Sequence, residues 1–520
     1  MFLTYLFSPY AILLLPLVFF LLPWLQNWSL AKVPGPWTAA LSNLWLLYHA
    51  RRGKRYKAVD EAHKKYGKVV RIQPNHVSIA DAGAIPIIYA HGNGFLKSEY
   101  YDAFVSIRRG LFNTRDRAEH TRKRKTISHT FSAKSVGQFE QYIHSNLEMF
   151  VKKWDAIGSH PDPKTGYASI DALHWFNYLA FDVIGDLAFG APFGMLEKGK
   201  DIAEVRMSPD APPKYSPAVE VLNRRGEVSN TIGCMPWIKP YAKYLPDPFF
   251  SQGMAAVENL AGIAIARVNE RLNRPSNRVD LLARLMEGRD EKGEKLGREE
   301  LTAEALTQLI AGSDTTSNTS CALLNWVVRT PGVIEKLQAE LDANLPADVR
   351  IPDFASVRDL PYMDCVIKET LRIHSTSSLG LPRLTPLATP QQPNPPPVEI
   401  LGYSFPPGTS LSVPAYTIHH STEIWGPDAN EYNPDRWAPD RLTEKQKAAF
   451  IPFSQGPRAC VGRNVAEMEL SCIVATVFRN YEFELQGPEK DGAEMGTSEG
   501  FLRKPTGLKV GIRRRTRSNA

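Results

Sequence analysis

The sequence predicts a mainly α-helical protein with a minor β-sheet region, behind an N-terminal apolar segment. Apolar residues recur every three or four positions through most of the chain from about 100 to 375, as in amphipathic helices. Strand-like patterns are short and lie at 69–79 and 398–413. The proline-rich stretch 386–397 cannot continue a helix or a strand, so it predicts a surface loop. The clearest helical patterns cover residues 137–157, 173–190, 254–274 and 301–329.

The composition is that of a globular chain with one large core. Of the 520 residues, 43% are hydrophobic, and no long interior linker divides the pattern, so we expect a single domain over residues 37–520. The five cysteines are widely scattered without paired or zinc-like spacing, which indicates a reducing compartment. A net charge of +7 is too small to indicate a nucleic-acid partner.

The N-terminal segment, residues 1–31, contains no charged residue and is most apolar at 11–22. It lacks a clear basic start and cleavage site, so it predicts a single membrane anchor rather than a signal peptide. The alternative is a buried N-terminal helix of a soluble protein. Basic residues follow the segment, which favours a domain on the cytosolic side of the membrane, and we expect that membrane to be the endoplasmic reticulum. The sequence of 32–36, with two prolines and a glycine, predicts a stiff hinge.

One cysteine, Cys460, lies in a loop rich in glycine and proline at 453–462 (Phe-Ser-Gln-Gly-Pro-Arg-Ala-Cys-Val-Gly). Small neighbours would let a flat cofactor approach the backbone, and backbone N–H groups near the sulfur would hold the charge of a thiolate. Arg458 offers a guanidinium fork suited to a carboxylate. The alternative is a buried structural cysteine in a loop.

The spacing Phe-x-x-Gly-x-Arg-x-Cys-x-Gly in this loop resembles the haem-thiolate signature of the cytochrome P450 monooxygenases. The resemblance implies that Cys460 is the axial ligand of the iron of haem b, with Phe453 beside the cofactor. It implies the cytochrome P450 fold, which is mainly helical with a minor sheet. It also implies that electrons come from NADPH through a membrane-bound reductase.

A second segment, 311–316 (Ala-Gly-Ser-Asp-Thr-Thr), places residues that are costly in a helix interior inside a helical pattern. The cost is reasonable if the helix opens locally to admit dioxygen and water. We expect Thr315 to hold a water beside the reacting oxygen and Asp314 to relay protons from bulk water. The segment resembles the oxygen-binding groove of the same family, in which Ala311 and Gly312 would border the cofactor. The alternative is an ordinary polar helix segment.

A charged cluster is predicted from two separate segments. Glu369 and Arg372 are three residues apart and share a helix face. Arg436, in Tyr-Asn-Pro-Asp-Arg-Trp, matches the family's segment before the cysteine loop and would complete the cluster. We expect this cluster to be structural rather than catalytic.

Four residues are expected to converge on the two haem propionates, which need cationic donors. His120 and Arg124 are one helical turn apart on one face, where the family usually has Trp or His followed by Arg. Arg383 fits the arginine after the Glu-x-x-Arg helix, and Arg458 precedes the cysteine. Each of the four could instead be a surface charge.

The substrate pocket of this family is formed by the loop before the His120 helix, the central helix and the loop after Arg372. Aromatic residues, two arginines and a run of hydroxyls there would suit a small flat acid, with its carboxylate held away from the iron. The alternative is that the arginines face solvent. The candidate substrate residues are Tyr101, Phe104, Arg108, Arg109 and Ser377.

The likeness extends beyond the motifs and covers nearly the whole chain. It implies para-hydroxylation of benzoate, because several segments resemble the fungal benzoate 4-monooxygenases within the family. A proline-rich loop longer than expected is a departure from that group. The segments are 63–68, 91–98, 110–120, 181–190 and 372–377.

Three other functions remain open. The same enzyme class could act on another phenolic or aromatic substrate, for example by O-demethylation. An isomerase or dehydratase could use the same fold, but such enzymes can lose the pair formed here by Asp314 and Thr315. A membrane-tethered haem carrier or sensor would bind haem without turnover driven by NADPH.

Overall fold

The computed structural model describes residues 9–274, 278–390 and 392–516, so the first eight residues of the predicted anchor lie outside it. Helices predominate in the described residues. The helices of the N-terminal half are α1 (Pro9–Gln26), α2 (Trp37–Leu41), α3 (Leu44–Arg51), α4 (Arg55–Tyr66), α5 (Ala84–Tyr89), α6 (Arg117–Ser128), α7 (Ala133–Val136), α8 (Glu140–Gly158), α9 (Ala172–Phe189), α10 (Met195–Lys198), α11 (Ala218–Gly233) and α12 (Pro248–Asn273). Those that follow are α13 (Leu281–Met286), α14 (Arg298–Arg329), α15 (Val333–Asn344), α16 (Phe354–Val357), α17 (Pro361–Ile373), α18 (Ala415–His419), α19 (Thr422–Trp425), α20 (Glu444–Ala449) and α21 (Arg463–Asn480).

The strands are short and belong to five small sheets. The largest sheet has the order β1-β2-β10-β7-β3, with β10 parallel to β2 and the other pairs antiparallel. A three-stranded sheet has the order β11-β14-β4, and three further sheets have two strands each. The strands are β1 (Val69–Gln73), β2 (His76–Ile79), β3 (Leu96–Lys97), β4 (Ala168–Asp171), β5 (Ala203–Val205), β6 (Lys214–Ser216), β7 (Arg383–Leu384), β8 (Val398–Ile400), β9 (Tyr403–Phe405), β10 (Ser410–Ser412), β11 (Tyr481–Leu485), β12 (Thr497–Glu499), β13 (Arg503–Pro505) and β14 (Lys509–Arg514).

The secondary-structure predictions are confirmed for the strongest patterns. Helices α8, α9, α12 and α14 coincide with the four predicted helices to within a few residues. The two predicted strand segments contain β1 and β2, and β8, β9 and β10, respectively. The proline-rich stretch 386–397 has neither helix nor strand where it is described, and most of its residues are exposed. Strands β3, β5, β6, β7, β12 and β13, of two or three residues each, were not predicted, because segments so short carry no measurable alternation.

The longest helix, α14, organises the core and carries the segment 311–316. Glu299 and Glu300 in its first turn and Arg329 in its last turn match the direction of the helix dipole. Its most extensive packing is against α9, in which nearly every residue of the C-terminal half is buried. Both helices belong to the main hydrophobic core. This packing holds one side of α14, while another side borders the cavity described below.

The structure brings Glu369, Arg372 and Arg436 together as a buried charged cluster. Arg372 Nη2 lies 2.7 Å and Arg436 Nε 3.3 Å from Glu369 Oε1, and the Glu369 and Arg372 side chains have no exposed surface. Trp437 adds an indole N–H donor at 2.8 Å. The remaining donors of Arg372 bind backbone carbonyls, including that of Ala429. A buried ion pair is tolerated when its donors are satisfied in this way, and the cluster ties α17 to the segment before the cysteine loop.

The described part of the N-terminal segment forms α1 and a short 3-10 helix. Among the residues that the structure describes, no helix is both long enough and apolar enough to cross a membrane. Large apolar side chains of α1, from Leu17 to Leu25, are largely exposed.

The chain after α1 packs against the largest sheet. Leu30 and Val33 are buried in the core beside that sheet. The guanidinium of Arg71 in β1 donates to the carbonyl oxygens of Asn27 and Leu30 at 3.3 and 3.4 Å, and its backbone N–H donates to that of Pro34 at 2.8 Å. The last residues of the predicted anchor therefore contact the main body of the protein.

Candidate active site

The cysteine loop lies between α20 and α21 and is closed by its own backbone. The N–H of Cys460 donates to the carbonyl of Phe453 at 2.9 Å, and a 3-10 turn, Gly456–Arg458, precedes the cysteine. Gly456 has a φ of 71°, and a Cβ there would lie 1.8 Å from the carbonyl oxygen of Tyr89 at the end of α5. Only glycine fits this position, so the glycine seats the loop against α5 rather than making room for a cofactor.

The sulfur of Cys460 faces an internal cavity and is accessible from that cavity while protein encloses it on the other sides. Burial raises the pKa of the Cys460 thiol, and the backbone N–H of Gly462 and the charges of Arg124 and Arg463 oppose that rise. Helix α21 begins at Arg463, so the positive end of its dipole also favours a thiolate. The loop thus supplies the donors and the positive charge that a thiolate ligand of iron requires.

The cavity has a volume of about 300 Å³ and lies between α6, α9, α14, α21 and the cysteine loop. Most of the predicted site residues border it. Those that do are Tyr101, His120, Arg124, Ala311, Gly312, Thr315, Ser377, Arg383, Phe453, Arg458 and Cys460. Those that do not are Phe104, Arg108, Arg109 and Asp314.

Five basic side chains gather at the cavity beside the cysteine loop. The lysine and the arginines among them bind neutral oxygens: for example, Arg124 donates to the Ala459 carbonyl and Arg458 to the Thr114 carbonyl, both at 2.7 Å. Within the described parts of the chain, none of the five forms a salt bridge with a carboxylate. The five are Lys97, His120, Arg124, Arg383 and Arg458.

The mutual repulsion of these groups indicates a binding site for an anion. Lys97 and Arg383 are register partners on β3 and β7, and like charges in such positions destabilise a sheet. Burial, reinforced by Arg383 and Arg458, lowers the pKa of Lys97 well below its ordinary value. Burial and the charge of Arg458 lower the pKa of His120 to about 3. Two carboxylates, as in the haem propionates, fit both the charge and the donors of this cluster.

Lys97 is the member of this cluster that sequence reasoning missed. A single lysine in a two-residue strand carries no motif, and only the pairing of β3 with β7 brings it beside Arg383. Its ammonium also lies 4.3 Å from the ring centroid of Tyr101 and 4.4 Å from that of Phe112. The attraction between the ammonium and these rings partly offsets the free-energy cost of burying the charge.

Helix α14 is continuous through 311–316, so the predicted local opening is not observed. The hydroxyl of Thr315 faces the cavity and donates to the carbonyl of Ala311 at 2.7 Å. Gly312 has a packing role, because a Cβ there would lie 2.6 Å from Cδ1 of Ile184 on α9. Glycine therefore lets the two helices approach each other. The hydroxyls of Ser313 and Thr315 donate to carbonyls one turn earlier, so these polar residues are accommodated without an opening of the helix.

Asp314 lies beside charged groups rather than on the cavity wall. Burial raises the pKa of its carboxyl, while the charge of Lys504 acts in the opposite direction. Lys504 lies 3.3 Å from Glu227, and both side chains are partly exposed. Asp314 therefore stands between the cavity face of α14 and a charged pair that reaches the surface.

Glu469 is a second cavity residue that sequence reasoning missed. It lies on α21, is buried, and accepts a hydrogen bond from the Thr316 hydroxyl of α14 at 3.2 Å. Burial raises the pKa of its carboxyl to about 8. This contact links the helix after the cysteine loop to the helix that carries Asp314 and Thr315.

The structure places Arg108 and Arg109 away from the cavity, which does not support their predicted contact with a substrate carboxylate. Arg108 lies 3.4 Å from Glu300, Arg109 is paired with Asp102, and both arginine side chains are nearly half exposed. Each arginine already has an acidic partner, so a substrate would have to displace it. The sequence could not show this, because Glu300 is distant along the chain.

The aromatic candidates lie in and behind the cavity wall. Tyr101 borders the cavity, whereas Phe104 is buried behind it. The ring of Phe104 packs 5.9 Å from that of Phe112 and 5.1 Å from that of Phe501, both of which line the cavity. Phe104 therefore supports the wall rather than contacting its contents.

A different cysteine, Cys472, belongs to a group whose ligand atoms could hold a metal ion. Its sulfur, Glu140 and His144 have ligand atoms within 4.8 Å of one another. Cys472 is fully buried on α21 and does not border the cavity. Cys460 is therefore the cysteine whose position suits a haem ligand.

Comparisons with known proteins show the family of this chain. The model of the family described as Cytochrome P450 matches residues 33–512. The chain is 65% identical over 529 residues to benzoate 4-monooxygenase bphA of Aspergillus niger, covering 100% of both chains. It is 33% identical over 469 residues to cytochrome P450 monooxygenase ORF11 of Penicillium roqueforti, covering 89% of this chain and 91% of that one. Cytochrome P450 monooxygenase cicH of Emericella nidulans is 29% identical over 479 residues, covering 89% and 90%.

Proposed function

This chain belongs to the cytochrome P450 family of haem-thiolate monooxygenases, and from that premise we propose that it oxidises benzoate to 4-hydroxybenzoate. The full-length identity of 65% to a benzoate 4-monooxygenase supports this substrate most strongly. The reaction consumes benzoate, dioxygen, two electrons and two protons, and it yields 4-hydroxybenzoate and water. Electrons come from NADPH through a cytochrome P450 reductase.

The residues of the cavity divide the work between cofactor and substrate. Haem b, when bound, supplies the activation of dioxygen and the transfer of one oxygen atom to the ring. Cys460 would bind the iron, and the cluster of Lys97, His120, Arg124, Arg383 and Arg458 would hold the propionates. The Thr315 hydroxyl stands on the cavity wall, where it would orient a water, and Asp314 would exchange protons with the charged pair behind it.

Benzoate is expected to bind the haem-loaded protein more tightly than toluene does, with benzamide between them. A buried hydrogen bond to a charged group contributes roughly 1.5–3 kcal/mol, which corresponds to about a 10- to 150-fold difference in affinity. Titration of the haem difference spectrum with the three compounds measures this directly. If toluene binds as tightly as benzoate, the acid is not the substrate, and a neutral phenolic compound takes its place.

The N-terminal segment is proposed to attach the enzyme to the endoplasmic reticulum membrane with its catalytic domain in the cytosol. Exposed apolar side chains along α1 support the attachment, since a soluble surface rarely carries so many together. The chain from Asn27 onward contacts the domain through Arg71, so an informative truncation ends at Gln26.

A variant that begins at Asn27 is expected to move from the membrane fraction to the soluble fraction and to keep its spectrum with carbon monoxide. The matched control begins at Trp37 and removes Leu30, Val33 and the carbonyls that Arg71 binds, so it should lose thermal stability as well. Firm membrane association of the variant that begins at Asn27 would show that another surface attaches the enzyme.

A further inference from the structure

Gln308 on α14 borders the cavity with an amide that has no hydrogen-bond partner among the described residues. The residue is 8% exposed, and its Oε1 is buried without a donor. Nor does the amide nitrogen form a hydrogen bond with any residue that the structure describes. Amide orientation can be reversed without changing the shape of the side chain, so either polar atom can be turned toward the cavity. A buried amide without a partner requires an explanation, and its place on the cavity wall allows a ligand to satisfy it.

The position of Gln308 suits the far end of a substrate that is oxidised near Thr315. Gln308, Ala311, Gly312 and Thr315 follow one another at helical spacing and all border the cavity. Seven residues of α-helix separate Gln308 from Thr315 by about 10 Å along the axis. That distance leaves room for one benzene ring with its carboxylate and for a hydrogen bond at the end remote from Thr315.

The other polar groups near the cavity are less suited to this role. The basic cluster beside the cysteine loop would be occupied by the propionates, and Arg108 and Arg109 are paired outside the cavity. Glu304 also borders the cavity, but its carboxylate is an acceptor and lies 2.9 Å from the Lys123 ammonium, so it does not suit the binding of another carboxylate. The four threonine hydroxyls of α14 that border the cavity already donate to other groups, so away from the cysteine loop the hydroxyls of Thr376 and Ser377 are the remaining candidate donors.

We propose that the side-chain amide of Gln308 binds the carboxylate of the substrate and thereby directs oxidation to the para carbon. This inference rests on the proposed function. The amide N–H donates to a carboxylate oxygen, and the para carbon, which is farthest from that carboxylate, then lies toward Thr315 and Cys460. Gln308 is thus a specificity-determining residue that contacts the substrate but transfers no proton.

Gln308→Leu tests the proposal, because leucine has nearly the same bulk and no donor. Titration of the haem difference spectrum should show benzoate affinity reduced by about 10- to 150-fold and toluene affinity changed by less than a few-fold. Gln308→Glu should exclude benzoate by charge repulsion while still binding benzamide, whose N–H groups can donate to it. The carbon monoxide spectrum of each variant shows whether it is folded and loaded with haem.

Arg109→Ala and Ser377→Ala are the matched controls, since these residues are the rival anchors. Arg109→Ala should leave benzoate affinity unchanged, and Ser377→Ala should weaken it less than Gln308→Leu does. The proposal is overturned if Gln308→Leu binds benzoate as the wild type does, or if toluene affinity falls equally. If the wild type itself does not prefer benzoate to toluene, the substrate proposed above is wrong. The proposed role of Gln308 is then wrong as well.

Discussion

Replacing Cys460 by alanine is expected to abolish the absorption band that thiolate-ligated haem shows in the reduced protein under carbon monoxide. Cys460 is the cysteine whose sulfur faces the cavity, with the Gly462 N–H and the charges of Arg124 and Arg463 favouring its thiolate. Alanine removes the only sulfur at that position but not the propionate-binding cluster. We therefore expect some haem to be retained, with a spectrum that lacks the thiolate band.

Cys472→Ala is the matched control for that experiment. Cys472 lies on α21, the helix that follows the cysteine loop. It is fully buried and lies away from the cavity. Its replacement should leave the band intact and reduce stability by the cost of a small cavity. The assignment of the ligand to Cys460 is wrong if the thiolate band persists in Cys460→Ala. It is also wrong if the band disappears in Cys472→Ala while haem is still bound.

Thr315→Ala is expected to separate consumption of NADPH from formation of product. A group that positions a proton for transfer accelerates that step by about 10²-fold or more. The yield of product per NADPH should therefore fall by up to ~10²-fold, with hydrogen peroxide released instead. Substrate affinity should change little, because Gln308 rather than Thr315 binds the carboxylate. Simultaneous measurement of NADPH, product and peroxide in the reconstituted system gives all three quantities.

Ser313→Ala provides a control on the same helix. Its hydroxyl also donates to a carbonyl one turn earlier, at 2.7 Å, but it is fully buried and does not border the cavity. Coupling should therefore be unchanged in Ser313→Ala. Equal loss in both variants would mean that the helix hydroxyls act through the stability of α14, and full coupling in Thr315→Ala would remove the threonine from proton delivery.

The sequence was most informative where neighbours along the chain act together. The cysteine loop, the segment 311–316 and the pair Glu369 and Arg372 are local patterns, and the structure brings each to the expected region. Long helices such as α14 were predicted to within a few residues, because hydrophobic periodicity accumulates over many turns.

The sequence was least informative where partners lie far apart in the chain. Arg108 looked available for a substrate, but Glu300 on α14 already binds it. Lys97 could not be recognised, since only the register of β3 with β7 places it beside Arg383. Gly312 suggested an opened helix, whereas the close approach of Ile184 explains it. A missing hydrogen bond, as at Gln308, has no sequence pattern at all.

The product formed from benzoate tests the central claim most directly. Full-length protein, reconstituted with cytochrome P450 reductase, NADPH and dioxygen carrying a heavy oxygen isotope, is incubated with benzoate, and the products are identified by chromatography and mass spectrometry. We expect 4-hydroxybenzoate with one labelled oxygen atom in its hydroxyl group, and none without the reductase. A protein with an intact thiolate band that oxidises another aromatic compound but forms no 4-hydroxybenzoate would contradict the assignment.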